Sequence, residues 1–183
     1  HLPLQSGCDA TLARMGRKYT SADYRALVDD IRARIPDVAL TTDVIVGFPG
    51  ESDQEFVDSL ALVQQVGFAR LHVFRYSPRA GTPAVRFPQR VPDAIAQARG
   101  RELMALGKQL AAAFHLRFVG RQVEVLFETA NEHGNTRMWN GLTDNYLRVQ
   151  APSALDLHNT VGWVHCLQAD DAGLCGELLP AAT

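Results

Sequence analysis

Three short segments concentrate the residues whose types and spacing could bind or transform a ligand. Gln5-Ser6-Gly7 is a polar turn running into Cys8, Gly47-Phe48-Pro49-Gly50-Glu51 is a glycine-rich turn, and Tyr76-Ser77-Pro78-Arg79-Ala80-Gly81-Thr82 opens a long loop. The second turn brings backbone N–H groups toward a ligand just ahead of a helix N-terminus, where the partial positive charge favours anionic groups. The same glycines serve equally as a tight strand-to-helix turn that needs positive φ. Arg17 and Arg79 carry guanidinium groups able to hold a carboxylate or phosphate bidentately; unaided, Arg17 beside Lys18 reads better as part of a solvated face. Asp43 lies inside the apolar run 38–48, where a carboxylate is costly unless paired. It is therefore either a site residue inside a barrel or part of a structural polar network. His72 lies within a strand and reads as a satisfied or barrel-lining histidine in preference to a metal ligand. Cys8, Cys166 and Cys175 show no CxxC spacing; no structural metal site is expected, and their usage fits a reducing compartment. A lone cysteine such as Cys8 is weak evidence of nucleophilic catalysis.

The elements that must position these segments follow from periodicity. With 183 residues, 46% hydrophobic and 21% charged, the composition is that of one globular domain, or one with a small added module. No apolar run approaches the ~18 residues of a membrane helix and no signal peptide is evident, so a cytoplasmic protein is expected. His1–Gln5 reads as the end of a strand, followed by a helical stretch around Asp9–Met15 that Gly16 interrupts. Thr20 or Ser21 caps a second helix carrying Tyr24, Leu27, Val28, Ile31 and Ile35, and Pro36 stops it. The β-branched run Val38–Phe48 reads as a buried parallel strand. Ser52 and Glu55 form a capping box for a helix bearing Phe56, Leu60 and Val63, which Gly67 ends. A strand over Arg70–Tyr76 leads into the loop Ser77–Val91, and Pro92 opens a helix expected to run to about Phe118, weakened at Gly100 and Gly107.

Strand–helix alternation predicts right-handed βαβ units, with the three singled-out loops on one C-terminal face, where ligands of such barrels bind. Three parallel strands cannot close a barrel, so residues 1–120 are expected to be α/β: part of a (β/α) barrel whose first half precedes His1. Past Gly120 short strands over 122–127, 145–150 and 160–167 predict a small antiparallel β-barrel spanning 121–183. The charge divides at the same place. The first 120 residues hold 15 Lys/Arg against 12 Asp/Glu, and the remainder 3 against 8, which disfavours a broad basic nucleic-acid surface in the second part.

In combination, HLPLQSGCDATLARMGRKYT, TTDVIVGFPGE and LHVFRYSPRAGTPA resemble the radical S-adenosylmethionine methylthiotransferases, the MiaB-like tRNA-modifying enzymes. Gly120, Glu124-Val125-Leu126 and Gly141-Leu142-Thr143-Asp144-Asn145-Tyr146 resemble their TRAM module, a small β-barrel associated with RNA binding. The resemblance implies a radical SAM-type barrel followed by TRAM, S-adenosylmethionine and 4Fe-4S clusters as cofactors, and the tRNA anticodon loop as partner. The implied reaction abstracts hydrogen from adenine C2 and installs a methylated sulfur there. The QSG turn favours the tRNA enzymes over the RimO branch, which modifies a ribosomal protein. The wording of LHVFRYSPRAGTPA is nearest the MtaB branch, acting on threonylcarbamoyladenosine, with the isopentenyladenosine enzymes its closest competitor.

Carried over by position, Gln5 and Ser6 lie along the S-adenosylmethionine site, and Arg17 partners its carboxylate or the substrate region. Gly47, Gly50 and Glu51 shape the cofactor pocket, Tyr76 and Arg79 end the last strand, and Asp43 joins this cofactor-binding set. Arg121, Arg137 and Arg148, the strong cations of the acidic module, are the implied RNA contacts. The chain departs from the family in lacking the CxxxCxxC motif and the cysteines of the second cluster. It therefore supplies no metal ligand by this reading and is expected to be inactive alone. Gly50→Val is expected to block cofactor binding with little loss of fold. Two rivals are a phosphate-binding βα barrel using the GFPGE loop and a non-catalytic RNA-binding module.

Overall fold

The structure, a computed structural model, describes residues 1–133 and 136–180. Two compact units divide the chain, His1–Leu110 and Ala111–Thr183. In the first unit local capping sets the helices. After α1 (Asp9–Arg14), the Thr20 hydroxyl accepts the Asp23 N–H while the Asp23 carboxylate accepts the Thr20 N–H, so α2 spans Ser21–Arg34. Ser52 and Glu55 repeat the device for α3 (Asp53–Val66), each box satisfying donors that a helix start otherwise leaves unpaired. Gly67, at φ 62°, takes the left-handed turn that ends α3. The strands are β1 (Thr41–Val46) and β2 (Arg70–Arg75); a 3-10 turn over Pro83–Arg86 precedes the long α4 (Asp93–Leu116).

β1 and β2 are parallel, with Asp43 beside His72 and Ile45 beside Phe74. The leading segment runs parallel along the other edge of β1: the Gln5 N–H donates to the Asp43 carbonyl and the Ile45 N–H to the Gln5 carbonyl, both at 2.8 Å. Leu4, Val44, Val46, Phe56, Phe68 and Leu103 sit in one core between this sheet and its helices. Burial alternates along β1, with Thr42, Val44 and Val46 buried and Thr41, Asp43 and Ile45 half-buried. That corrects the expectation of a strand buried on both faces: helices cover only one face here, so period-2 alternation appears within a run that is apolar almost throughout. In α2 the buried stripe is narrower than its apolar spacing suggests. Tyr24 and Val28 are buried, whereas Leu27 and Ile35 are exposed. Among the described residues no helix is long and apolar enough to cross a membrane.

The second unit holds a closed five-stranded barrel of β3 (Gln122–His133), β4 (Thr136–Leu142), β5 (Arg148–Pro152), β6 (Thr160–Ala169) and β7 (Leu174–Leu178), in the order β3-β4-β5-β7-β6. Val125, Phe127, Val149, Ala151, Val164 and Leu174 fill it. Two strands beyond the expected three are present, and the barrel is not wholly antiparallel, because β5 and β7 run parallel. The middle strand starts later than expected. Tyr146 adopts φ 63° in a turn where the Thr143 N–H reaches the Leu147 carbonyl, so pairing begins only at Arg148.

Candidate ligand site at the C-terminal edge of the parallel strands

The GFPGE loop leaves β1 through two left-handed glycines, Gly47 at φ 74° and Gly50 at φ 82°. A Cβ on Gly47 would lie 2.7 Å from that of Ala96 on α4, so the turn also requires glycine for close approach. Glu51 ends the loop with 5% of its surface exposed. Its carboxylate accepts the Gly47 N–H at 2.5 Å and Arg99 Nη1 at 2.9 Å, while Arg99 also donates to the Glu51 carbonyl and, at 2.6 Å, to Asp53. Burial pushes the Glu51 carboxyl above its ordinary range, and the Gly47 N–H and the Arg99 charge pull it back. The Gly50 N–H donates to the Gln89 carbonyl and the Glu51 N–H to that of Phe48. The N–H groups of Gly47, Gly50 and Glu51 are thus bonded within the protein. The loop is a latch closed by its own glutamate, in place of the expected N–H cradle.

The QSG turn is likewise anchored inward. Ser6 Oγ lies 3.0 Å from Ser59 Oγ on α3, which also accepts the Gly7 N–H at 3.0 Å, and Ser6 Oγ accepts the Cys8 N–H. A Cβ on Gly7 would come within 2.7 Å of the Ser59 Cα, so this turn rests directly on the helix. Gln5 adopts φ 68° and is nearly buried. Arg14, not singled out from sequence, grips Glu55 through Nη1 at 2.9 Å and Nη2 at 2.5 Å and also reaches Thr11. This hydrogen bonding lowers the Glu55 carboxyl and raises Arg14. A Cβ on Gly50 would lie 3.2 Å from Arg14 Nε. Gly50→Val therefore strains both a left-handed backbone and this neighbour, so loss of fold would accompany any effect on binding. Arg17 is exposed one turn beyond Arg14, and Arg79 is exposed in its loop.

On the sheet face away from the core, Asp43 meets His1. His1 Nε2 lies 3.4 Å from Asp43 Oδ2, His1 Nδ1 lies 2.8 Å from Thr41 Oγ1, and the His1 and His72 rings meet edge-on at 6.0 Å. Asp43 is thereby part of a polar cluster with His1 and Thr41.

At the C-terminal edge of β2 a cleft of about 510 Å³ opens between Gly47, Pro49, Phe74, Arg75, Tyr76, Arg90 and Asp93, a size that accommodates a nucleoside-sized ligand. The Tyr76 ring packs edge-on against Phe48 at 5.2 Å, and its hydroxyl is buried with no hydrogen-bond partner among the described residues. Of the residues singled out from sequence, Gly47 and Tyr76 line the cleft; Gln5, Ser6, Arg17, Asp43, Gly50, Glu51 and Arg79 do not. Arg99 was invisible as a site residue from sequence, although its place three residues after Ala96 and four before Leu103 put it on the buried side of α4.

An iron–sulfur cluster does not fit these residues. Cys8 and Cys166 are buried, Cys175 is exposed, all three are free, and among the described residues no group of three His, Cys, Asp or Glu is placed to hold a metal. In the barrel, Arg121 packs over the Phe118 ring at 4.8 Å and Arg137 over Trp139 at 5.9 Å. Arg137 and Arg148 stand toward opposite ends of the β4–β5 ribbon, so they do not form one patch.

Residues 1–63 match the family model described as Radical SAM superfamily. The tRNA-2-methylthio-N(6)-dimethylallyladenosine synthase of Lachnoclostridium phytofermentans is 41% identical over 147 residues, covering 80% of this chain and 32% of that protein. The enzyme of the same name from Corynebacterium efficiens is 42% identical over 135 residues, covering 74% of this chain and 26% of its own length. The chain thus spans about a third or less of the curated relatives it matches. It is similar to radical SAM proteins over its first 63 residues and to two tRNA methylthiotransferases over most of its length.

Proposed function

We propose that the chain is the part of a longer radical SAM methylthiotransferase that carries the second half of the (β/α) barrel, over 1–120, and a TRAM-like β-barrel, over 121–183. Its reaction would be methylthiolation of adenine C2 in an N6-modified adenosine of tRNA, beside the anticodon. The observation that carries this reading is the identity of about two residues in five to the two synthases over most of the chain. Both relatives are named for dimethylallyladenosine, which supports that base as the substrate. The wording LHVFRYSPRAGTPA supports threonylcarbamoyladenosine as a second reading.

The cleft at the C-terminal edge fits a nucleoside-sized cofactor, and Gly47 and Tyr76 would border S-adenosylmethionine there, the Tyr76 hydroxyl offering an unspent hydrogen bond. When bound, S-adenosylmethionine supplies hydrogen-atom abstraction and a methyl group. The chain's own residues orient it. Glu51 and Arg99 fix the loop that forms the cleft's floor, Ser6 and Ser59 fix the first turn, and Asp43 with His72 borders the open sheet face. The cluster ligands belong to another part of the polypeptide. The test is equilibrium binding of S-adenosylmethionine to the anaerobically purified full-length polypeptide, with assay of its reductive cleavage. Binding weakened in Tyr76→Phe but retained in Arg17→Gln is expected; no binding by the cluster-loaded wild type would remove this reading.

A further inference from the structure

Residues 59–92 contain Arg70, Arg75, Arg79, Arg86 and Arg90 and no aspartate or glutamate. Arg75, Arg79, Arg86 and Arg90 fall in the last residue of β2 and the loop after it, all four are exposed, and among the described residues none is ion-paired with an acidic side chain. Arg75 and Arg90 line the cleft at the C-terminal edge, where Asp93 is the one acidic lining residue, and Phe74 stands there half-exposed at 51%. Elsewhere in the unit Arg14, Arg34 and Arg99 are each paired with a carboxylate.

Four unneutralised guanidinium groups in an acid-free stretch, with an aromatic ring beside them, are the footprint of a nucleic-acid backbone. The second unit, Ala111–Thr183, carries the opposite balance, 4 Lys/Arg against 8 Asp/Glu. Phosphate contacts dominate affinity for RNA, so the two surfaces are unequal candidates. We infer that the arginine loop after β2, and not the acidic small barrel, supplies the principal phosphate contacts to the RNA substrate. This rests on the proposal that the polypeptide acts on tRNA.

The test measures binding of a tRNA anticodon stem-loop to the full-length polypeptide between 50 and 300 mM salt, with S-adenosylmethionine binding measured alongside. Arg86→Gln/Arg90→Gln is expected to weaken RNA binding about tenfold near physiological salt. The slope of log affinity on log salt should fall in magnitude by about 1.5, because two phosphates are no longer neutralised. Arg86→Lys/Arg90→Lys, which keeps the charge, should retain most of the slope and serves as the folding control. Unchanged affinity and slope in the glutamine variant, with the weakening found instead in Arg137→Gln/Arg148→Gln, overturns the inference and leaves the tRNA reading intact. Failure of the wild type to bind the stem-loop while it binds S-adenosylmethionine overturns both.

Discussion

Glu51 is a carboxylate taken out of water and given the Gly47 N–H and the Arg99 guanidinium in return. Removing one partner of such a buried pair strands the other, which typically costs 3–5 kcal/mol. Arg99→Met is therefore expected to destabilise the first unit by about 3 kcal/mol. Its pH dependence has a definite sign. Burial already raises the Glu51 carboxyl in the folded state, and loss of Arg99 raises it further. A group raised on folding contributes stability below its unfolded value and loses it as pH rises through the folded one. The deficit of Arg99→Met should accordingly be larger at pH 8 than at pH 5 in urea unfolding; a deficit independent of pH would contradict the latch. The glutamate was legible as a polar end to a glycine turn. Its partner was not, because the contact joins residues 48 apart in sequence and nothing local in α4 announces it.

Within the elements, α4 separates two glycines that look equivalent in the sequence. A Cβ on Gly100 would meet only Val46 and Arg75 at 3.8 and 3.9 Å, ordinary contact, whereas one on Gly107 would press Leu71 at 3.0 Å. Gly100→Ala is expected to stabilise by about 0.5–1 kcal/mol, the helix-propensity difference. Gly107→Ala should gain nothing or lose stability as Leu71 is displaced; thermal unfolding of the two variants checks both. Capping explains why helix starts were readable: Thr20 with Asp23 and Ser52 with Glu55 act across three residues, inside any local window. Strands β4 and β7 were missed for the converse reason. Each contains a glycine, Gly141 and Gly176, that interrupts the apolar pattern, and each becomes a strand by pairing with distant partners, Leu126 and Val149 for the first, Val164 and Val149 for the second. Local propensity is weak evidence where pairing decides.

At the scale of the whole molecule, three parallel segments have helices on one face and a polar and aromatic face left uncovered, with Asp43, His72 and Phe74 on it. The alternation strand–helix–strand made the parallel sheet legible, and the three loops at its C-terminal edge were found at that edge. How the loops are used was not legible: Ser6, Gly50 and Glu51 look like ligand groups because they are polar or small in turns, yet each is engaged by a neighbour from another element. The unequal charge of the two units, a property of sequence alone, is what makes the first the proposed RNA-contacting unit. The central claim, that this chain belongs to an enzyme placing a methylthio group on a modified adenosine of tRNA, is tested most directly by mass spectrometry of tRNA nucleosides. The full-length polypeptide would be expressed anaerobically in a host lacking its own methylthiotransferases. A 2-methylthio derivative of dimethylallyladenosine is predicted, with the threonylcarbamoyl analogue as the second reading; absence of both from tRNA while the clusters are loaded would contradict the account.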